Sequence, residues 1–143
     1  MLTTVKDKRE CWRKWQNAWR KKHHNRWKET EIKWSKSASG IYTEFNNRRP
    51  KLVNITREDF IEWYNQQEQK CFYCGRTLEQ IQKDKTQRRK NIRRFEIDRI
   101  NSNKSYEIGN MVLACNNCNS VKNNFFTKDE MLKIVKMFPY KFK

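Results

Sequence analysis

The sequence has few glycine, proline and histidine residues: three, two and two respectively among 143 residues. Long apolar segments are also missing, because no run reaches the roughly 18 residues that a membrane-spanning helix needs. The first ten residues, MLTTVKDKRE, do not contain the apolar stretch of a secretory signal. We therefore expect an intracellular, cytoplasmic protein with no membrane partner.

Acidic residues are scarce as well. The chain has 16 Asp and Glu against 33 Lys and Arg, which gives a net charge of +17. Clustered basic residues bind phosphates by releasing condensed counterions, so nucleic acid is the expected partner. Hydrophobic residues make up only 36% of the chain, so its core is expected to be small and to need further support, for example from a metal.

The N-terminal stretch from about residue 4 to residue 36 contains no glycine or proline, and it is predicted to be one helix. Its five tryptophans fall within an arc of roughly 120° on that helix: Trp12, Trp15, Trp19, Trp27 and Trp34. We interpret them as a packing face, with stacking on unpaired bases as the alternative. Basic residues cover the remaining surface, and contact with DNA through Lys21 and Lys22 is favoured.

The chain is predicted to divide at residue 55. Residues 1–55 would form a basic, Trp-rich, DNA-binding helical arm that ends in a connecting loop from Gly40 to Asn54. Residues 56–143 would form the second module, with helices starting near Thr56 and Thr127, each followed three residues later by an acidic residue. Between these helices, two short strands, around Ile97 and at residues 111–114, and a helix over residues 118–124 are predicted.

The strongest motif is a doubled Cys-x-x-Cys pair. Cys71 and Cys74 form the first pair, and Cys115 and Cys118 form the second. This spacing, in a chain expected inside a reducing cell, predicts one structural Zn²⁺ held by four thiolates and not a set of disulfides. Such a site can contribute of the order of 10 kcal/mol to folding. Gly75 is expected to let backbone amides turn toward the thiolates.

The residues between and after these pairs resemble the HNH endonuclease family. The family pattern has Asp-His on a strand, Asn on the next strand, and a second Cys-x-x-Cys followed by His or Asn, with a Lys three residues later. This sequence has Asp98-Arg99, Asn110, Asn119 and Lys122 at those positions. The resemblance covers about half of the chain, and it implies an α+β fold in which a zinc-stabilised ββα-metal module follows the helical arm.

The resemblance also implies a function, that of a metal-dependent endonuclease acting on double-stranded DNA. Asp98 and Asn119 would hold a catalytic Mg²⁺ or Mn²⁺, which prefers oxygen ligands. Asn110 would brace the loop, and Lys122 would face a phosphate. The basic segment at residues 83–94 is expected to add phosphate contacts, through Arg88, Arg89 and Arg93.

One position departs from the family pattern, because Arg99 replaces the histidine that serves as general base. An arginine cannot accept a proton at neutral pH, although Arg99 could clamp the phosphate. Glu96 and Tyr106 are candidates for the base, and His23 and His24 are weaker ones. The alternative function is a non-catalytic, zinc-stabilised regulator that binds nucleic acid. Homing by a phage- or intron-encoded nuclease, restriction, and a monomeric or dimeric state all stay open.

Overall fold

The computed structural model describes residues 5–84 and 91–139, which form two compact units divided after Ser37. The first unit contains helices α1 (Val5–Lys22) and α2 (His24–Lys36). The second contains α3 (Ala38–Arg48), α4 (Arg57–Gln66), α5 (Leu78–Lys83), β1 (Glu96–Arg99), β2 (Met111–Ala114), α6 (Asn116–Lys122) and α7 (Lys128–Met137). None of the described helices is both long and apolar enough to cross a membrane. The functional boundary after residue 55 stays a prediction.

The N-terminal stretch is two helices and not the single one predicted. The break lies at His23, whose backbone adopts φ −111° and ψ 28°. Hydrogen bonding continues across it, because the amides of His23 and Trp27 each bond, at 2.9 Å, to the carbonyl four residues earlier. The Nδ1 atom of His23 also lies 3.0 Å from the carbonyl oxygen of Trp19. The break is therefore local.

The tryptophans of this unit do not form a buried face. Trp12, Trp15, Trp19 and Trp34 are between 41% and 58% exposed, and no described residue of α1 or α2 is buried. Trp12 and Trp15 stack on each other with ring centroids 4.9 Å apart. These four indoles are not buried within their own unit, and the packing-face interpretation stays a prediction.

The second unit has an aromatic core built on α3 and α4. Phe60 of α4 is fully buried, and its ring centroid lies 5.4 Å from that of Tyr42 and 5.8 Å from that of Phe45. The prediction of a connecting loop that starts at Gly40 was wrong as far as Arg48, because these residues belong to α3. Gly40 lies inside that helix and is buried, whereas a glycine after a helix was expected to end it.

The two strands pair antiparallel, with Ile97 opposite Leu113 and Asp98 opposite Val112. β2 occupies the four residues predicted for it. α6 starts two residues earlier than predicted, because Cys115 caps it by accepting a hydrogen bond from the amide of Cys118. The unit thus contains a strand–strand–helix succession with helices packed around it, and the predicted α+β class is confirmed.

Candidate functional site

The four paired cysteines converge on one point. The sulfur atoms of Cys71, Cys74, Cys115 and Cys118 all lie within 4.8 Å of one another, and those of Cys74 and Cys115 are 3.9 Å apart. Tetrahedral zinc with Zn–S bonds of about 2.3 Å requires sulfur atoms about 3.8 Å apart. The predicted convergence is therefore confirmed, and the cluster suits a metal ion. Cys11 is exposed on α1 and takes no part.

Backbone amides support the sulfur atoms of the cluster. The amide of Cys115 donates to the sulfur of Cys71 at 3.2 Å, and the amide of Cys118 donates to the sulfur of Cys115 at 3.4 Å. As predicted, backbone amides on either side of Gly75 turn toward the sulfurs, because the amide of Cys74 bonds to Cys71 and that of Arg76 bonds to Cys74. The amide of Gly75 itself bonds to the carbonyl of Cys71 at 2.8 Å. Its φ of +68° is a conformation that glycine adopts at low cost, so Gly75 closes the knuckle turn.

The electrostatics of the cluster also call for a cation. Hydrogen bonds from Cys115 and Cys118 lower the pKa of Cys71 to about 7, whereas interactions with the other three sulfurs and burial raise the pKa of Cys118. Four thiolates in a buried site repel one another, so they cannot all ionise without a metal. A bound Zn²⁺ would remove this conflict.

A buried arginine supplies a second sign of a negatively charged centre. Arg76 is 6% exposed, and its Nη1 bonds to Asp84 at 2.9 Å, while Nε and Nη2 have no hydrogen-bond partner among the described residues. Burial by itself would lower the pKa of Arg76. The sulfur of Cys74 and the carboxylate of Asp84 raise it, so that it lies above its ordinary value. A zinc–thiolate centre carries net negative charge, so it fits beside these unpaired N–H groups.

Asp98 lies at the meeting point of the strand, the cysteine knuckle and α6. It is only 7% exposed. The hydroxyl of Tyr73 donates to its Oδ2 at 2.6 Å, and the Nζ of Lys122 lies 3.3 Å from Oδ2 and 3.5 Å from Oδ1. The Tyr73 contact fastens the cysteine knuckle to β1, and the Lys122 contacts fasten α6 to it.

Lys122 does not lie on the surface, although the predicted contact with a phosphate would require an exposed side chain. It is fully buried, and besides Asp98 its ammonium donates to the carbonyl of Arg99 at 2.7 Å. An ammonium is costly to bury unless it is paired and hydrogen-bonded, which explains why it turns to the carboxylate. Lys122 is therefore an internal ion-pair partner in this structure.

Replacing Lys122 by methionine is expected to destabilise the second unit by about 3–5 kcal/mol, because it leaves the buried Asp98 carboxylate without its cation. The free energy of unfolding in urea measures the effect. Lys136→Met is the matched control, because Lys136 is exposed on α7 and its replacement should change stability by at most about 0.5 kcal/mol. Equal stabilities of the two variants would contradict the buried pair.

Asn110 is placed across the loop that joins β1 to β2. Its Oδ1 accepts from the amide of Asn101 at 2.8 Å, and its Nδ2 donates to the carbonyls of Asn101 and Ser105 at 3.1 and 2.8 Å. A hydrophobic residue of the same size could make none of these three hydrogen bonds. The contacts agree with the bracing role expected of Asn110.

Asn119 lies three residues before Lys122 on α6, so the two share one face of that helix. It is half-buried, and its side chain makes no hydrogen bond among the described residues. Because Lys122 contacts Asp98, this shared face of α6 is the one that meets β1. The role of Asn119 as a cation ligand stays a prediction.

Arg99 is the last residue of β1, where the loop that joins β1 to β2 begins. Its Nη1 donates to the carbonyl of Lys104 at 2.9 Å, and its guanidinium carbon lies 5.0 Å from the ring centroid of Tyr106. Tyr106 is only 5% exposed and also has the Arg49 guanidinium 5.7 Å from its ring centroid. Its burial disfavours Tyr106 as a base, whereas Glu96 is half-buried on β1, two residues before Asp98.

No family model and no curated protein matches the chain. Among solved structures, the rare-cutting HNH restriction endonuclease PacI, described for a mechanism of DNA perturbation, is similar over 69% of this chain and 72% of its own. The sequence identity is 26% and the TM-score is 0.54. This chain has an HNH nuclease fold. The unit from Ala38 onward is called the HNH module below.

Only some of the other residues predicted to contact DNA belong to the described part of the chain. Arg88 and Arg89 lie outside the described residues, and Arg93 is exposed in the HNH module. Lys21 and Lys22 are exposed in the last turn of α1. Their exposure leaves contact with DNA a prediction for these three.

Two residues of the HNH site escaped the sequence reasoning. Tyr73 and Arg76 lie in and just after the first cysteine pair, and their side chains reach Asp98 and Asp84 respectively. The only signal was their proximity to zinc ligands. Nothing in the spacing indicated that Tyr73 contacts a residue 25 positions along the chain.

Proposed function

We propose that this chain is a metal-dependent endonuclease that hydrolyses phosphodiester bonds in double-stranded DNA. The observation that carries the proposal is the buried contact between Lys122 and Asp98 at 3.3 Å, because it packs α6, the helix that contains Asn119, against the strand that contains Asp98. The HNH restriction endonuclease of similar fold supports DNA as the substrate. The net charge of +17 supports it as well.

Asp98 and Asn119 would hold the catalytic Mg²⁺ or Mn²⁺. Carboxylate and amide oxygens are the ligands that such hard cations take, so the donor set fits. Among the residues that the structure describes, the Oδ1 atom of Asp98 has only the 3.5 Å hydrogen bond from Lys122, so it has fewer partners than Oδ2. When bound, the cation would supply charge stabilisation at the scissile phosphate and its leaving oxygen. The four cysteines would hold a separate, structural Zn²⁺.

Arg99 would orient and stabilise the phosphate. One guanidinium nitrogen is tied to the carbonyl of Lys104, so the side chain is held while its other N–H groups stay able to bind phosphate oxygens. Arg99 cannot take the proton of the attacking water. Tyr73 cannot do so either, because burial and its hydrogen bond to Asp98 raise its pKa. Glu96 stays the candidate base of the HNH module.

The zinc-loaded full chain is expected to convert supercoiled plasmid to nicked or linear DNA in the presence of Mg²⁺ or Mn²⁺, and to stop when excess chelator for these ions is added. Gel electrophoresis of the products measures both. The rate should fall as salt is raised, because phosphate contacts are displaced by ions. Absence of cleavage on every plasmid with either ion would count against the proposal.

A non-catalytic regulator on an HNH scaffold is the second candidate. It is favoured by the pairing of Asp98 with Lys122, which already neutralises the carboxylate, and by Arg99 at the base position. This function predicts DNA binding in a mobility-shift assay without cleavage under any divalent cation. The same two assays therefore discriminate between the candidates.

The biological setting is part of the proposal. A restriction-type nuclease is supported by the restriction endonuclease of similar fold. A phage- or intron-encoded homing nuclease is the other setting that suits a short, basic HNH protein. Assembly as a monomer would favour nicking of one strand at a time, whereas a dimer would favour cleavage of both strands.

A further inference from the structure

A buried hydrogen bond joins the cysteine knuckle to the candidate catalytic carboxylate. The hydroxyl of Tyr73 donates to the Oδ2 of Asp98 at 2.6 Å, and the two residues are 5% and 7% exposed. We propose that Tyr73 is a positioning residue that couples the structural metal site to the divalent-cation site at Asp98. The inference rests on the proposed function, since it assigns Asp98 a metal to bind.

The knuckle holds Tyr73 from both sides. Cys71 and Cys74 flank it in the chain, and both contribute sulfur to the metal cluster. The amide of Phe72 donates to the carbonyl of Leu113 in β2 at 2.8 Å, which fixes the knuckle to the sheet. A metal bound by the cysteines therefore fixes the backbone that carries the Tyr73 ring.

The contact selects one oxygen of the carboxylate. Oδ2 receives the short bond from Tyr73 and also lies 3.3 Å from the Nζ of Lys122. Within the described part of the chain, Oδ1 has only the 3.5 Å contact with that nitrogen. Tyr73 thus prevents Asp98 from rotating freely and leaves Oδ1 as the oxygen for a cation. Partners that orient a ligating carboxylate in this way are worth about 10–100-fold in metal affinity or activity.

The coupling gives the zinc site a role beyond folding. When a metal holds the knuckle, the Tyr73 hydroxyl bonds to Oδ2 and fixes the orientation of the Asp98 carboxylate. If the Tyr73 hydroxyl is removed, Lys122 is the only cation or donor left on Asp98 among the described contacts, and the carboxylate can turn toward the ammonium. The divalent cation then competes with the ion pair between Lys122 and Asp98, and the Asp98 carboxylate is no longer oriented to bind it.

The test is Tyr73→Phe, which removes one hydroxyl and keeps the ring. In the zinc-loaded full chain, Mn²⁺ binding is titrated by electron paramagnetic resonance, and zinc content is measured in the same samples. The expected result is unchanged zinc and a Kd for Mn²⁺ raised by about 10-fold or more. Tyr64→Phe is the matched control, because Tyr64 is also buried but packs in the aromatic core against Phe60.

Asp98→Asn separates the inference from the proposed function. If this variant binds Mn²⁺ as tightly as the wild type, the metal site itself is wrong, and the proposed function fails with it. If Asp98→Asn loses the site while Tyr73→Phe and Tyr64→Phe both keep wild-type affinity, the positioning role is overturned and the proposed function stands. Loss of zinc from Tyr73→Phe would also overturn it, because the hydroxyl would then serve the fold.

Discussion

Removal of the metal from the four-cysteine cluster is expected to unfold the HNH module, with a loss of about 10 kcal/mol of folding free energy. The cluster joins the knuckle at Cys71 and Cys74 to the β2–α6 junction at Cys115 and Cys118, so it ties together the segments that flank the candidate site. A chelator strong enough to extract Zn²⁺ should abolish the cooperative thermal transition of the module in near-ultraviolet circular dichroism. Adding Zn²⁺ back should restore that transition.

Single cysteine variants sharpen this prediction. Cys118→Ser should behave like the metal-free chain, because Cys118 is fully buried and supplies one of the four sulfurs. Cys11→Ser is the matched control and should unfold like the wild type, since Cys11 is exposed on α1, outside the cluster. A Cys118→Ser protein that keeps the wild-type transition and zinc content would show that the cluster is not the main support of the module.

The parts of the fold that could be predicted depend on short-range patterns. The Cys-x-x-Cys spacing predicted the cluster, because a tetrahedral metal restricts ligand spacing within each pair. Four consecutive apolar residues before Cys115 predicted β2, and Thr127 with Glu130 predicted the start of α7, where both capping hydrogen bonds are present. In each case the local sequence contains the physical cause of the structure.

The parts that were missed depend on contacts between distant segments. The helical state of residues 38–48 is set by burial of Ile41 and by the packing of Phe45 against Phe60 of α4 and against Tyr106. This burial overrides the helix-ending tendency of Gly40. The direction of Lys122 is set by Asp98, 24 residues earlier. Neither partner is visible in the sequence around the residue concerned.

Asp98→Asn is expected to lower the rate of DNA cleavage by about 10³-fold. The substitution removes the only carboxylate in the proposed cation site, and the charge stabilisation that such a cation supplies is worth several kcal/mol, where about 1.4 kcal/mol corresponds to a factor of ten in rate. Asparagine keeps the size of the side chain and an oxygen that can accept the Tyr73 hydrogen bond. Its neutral amide leaves Lys122 unpaired, so folded protein must be verified by the thermal transition before rates are compared.

A catalytic cation site at Asp98 is tested most directly by comparing the rates at which wild-type and Asp98→Asn protein cleave the same plasmid. Both proteins are loaded with Zn²⁺, verified as folded, and assayed in Mg²⁺ and in Mn²⁺. A catalytic cation at Asp98 predicts cleavage by the wild type that depends on the added divalent ion, and a rate for Asp98→Asn reduced by about 10³-fold in both ions. Equal rates for the two proteins would contradict a catalytic cation site at Asp98.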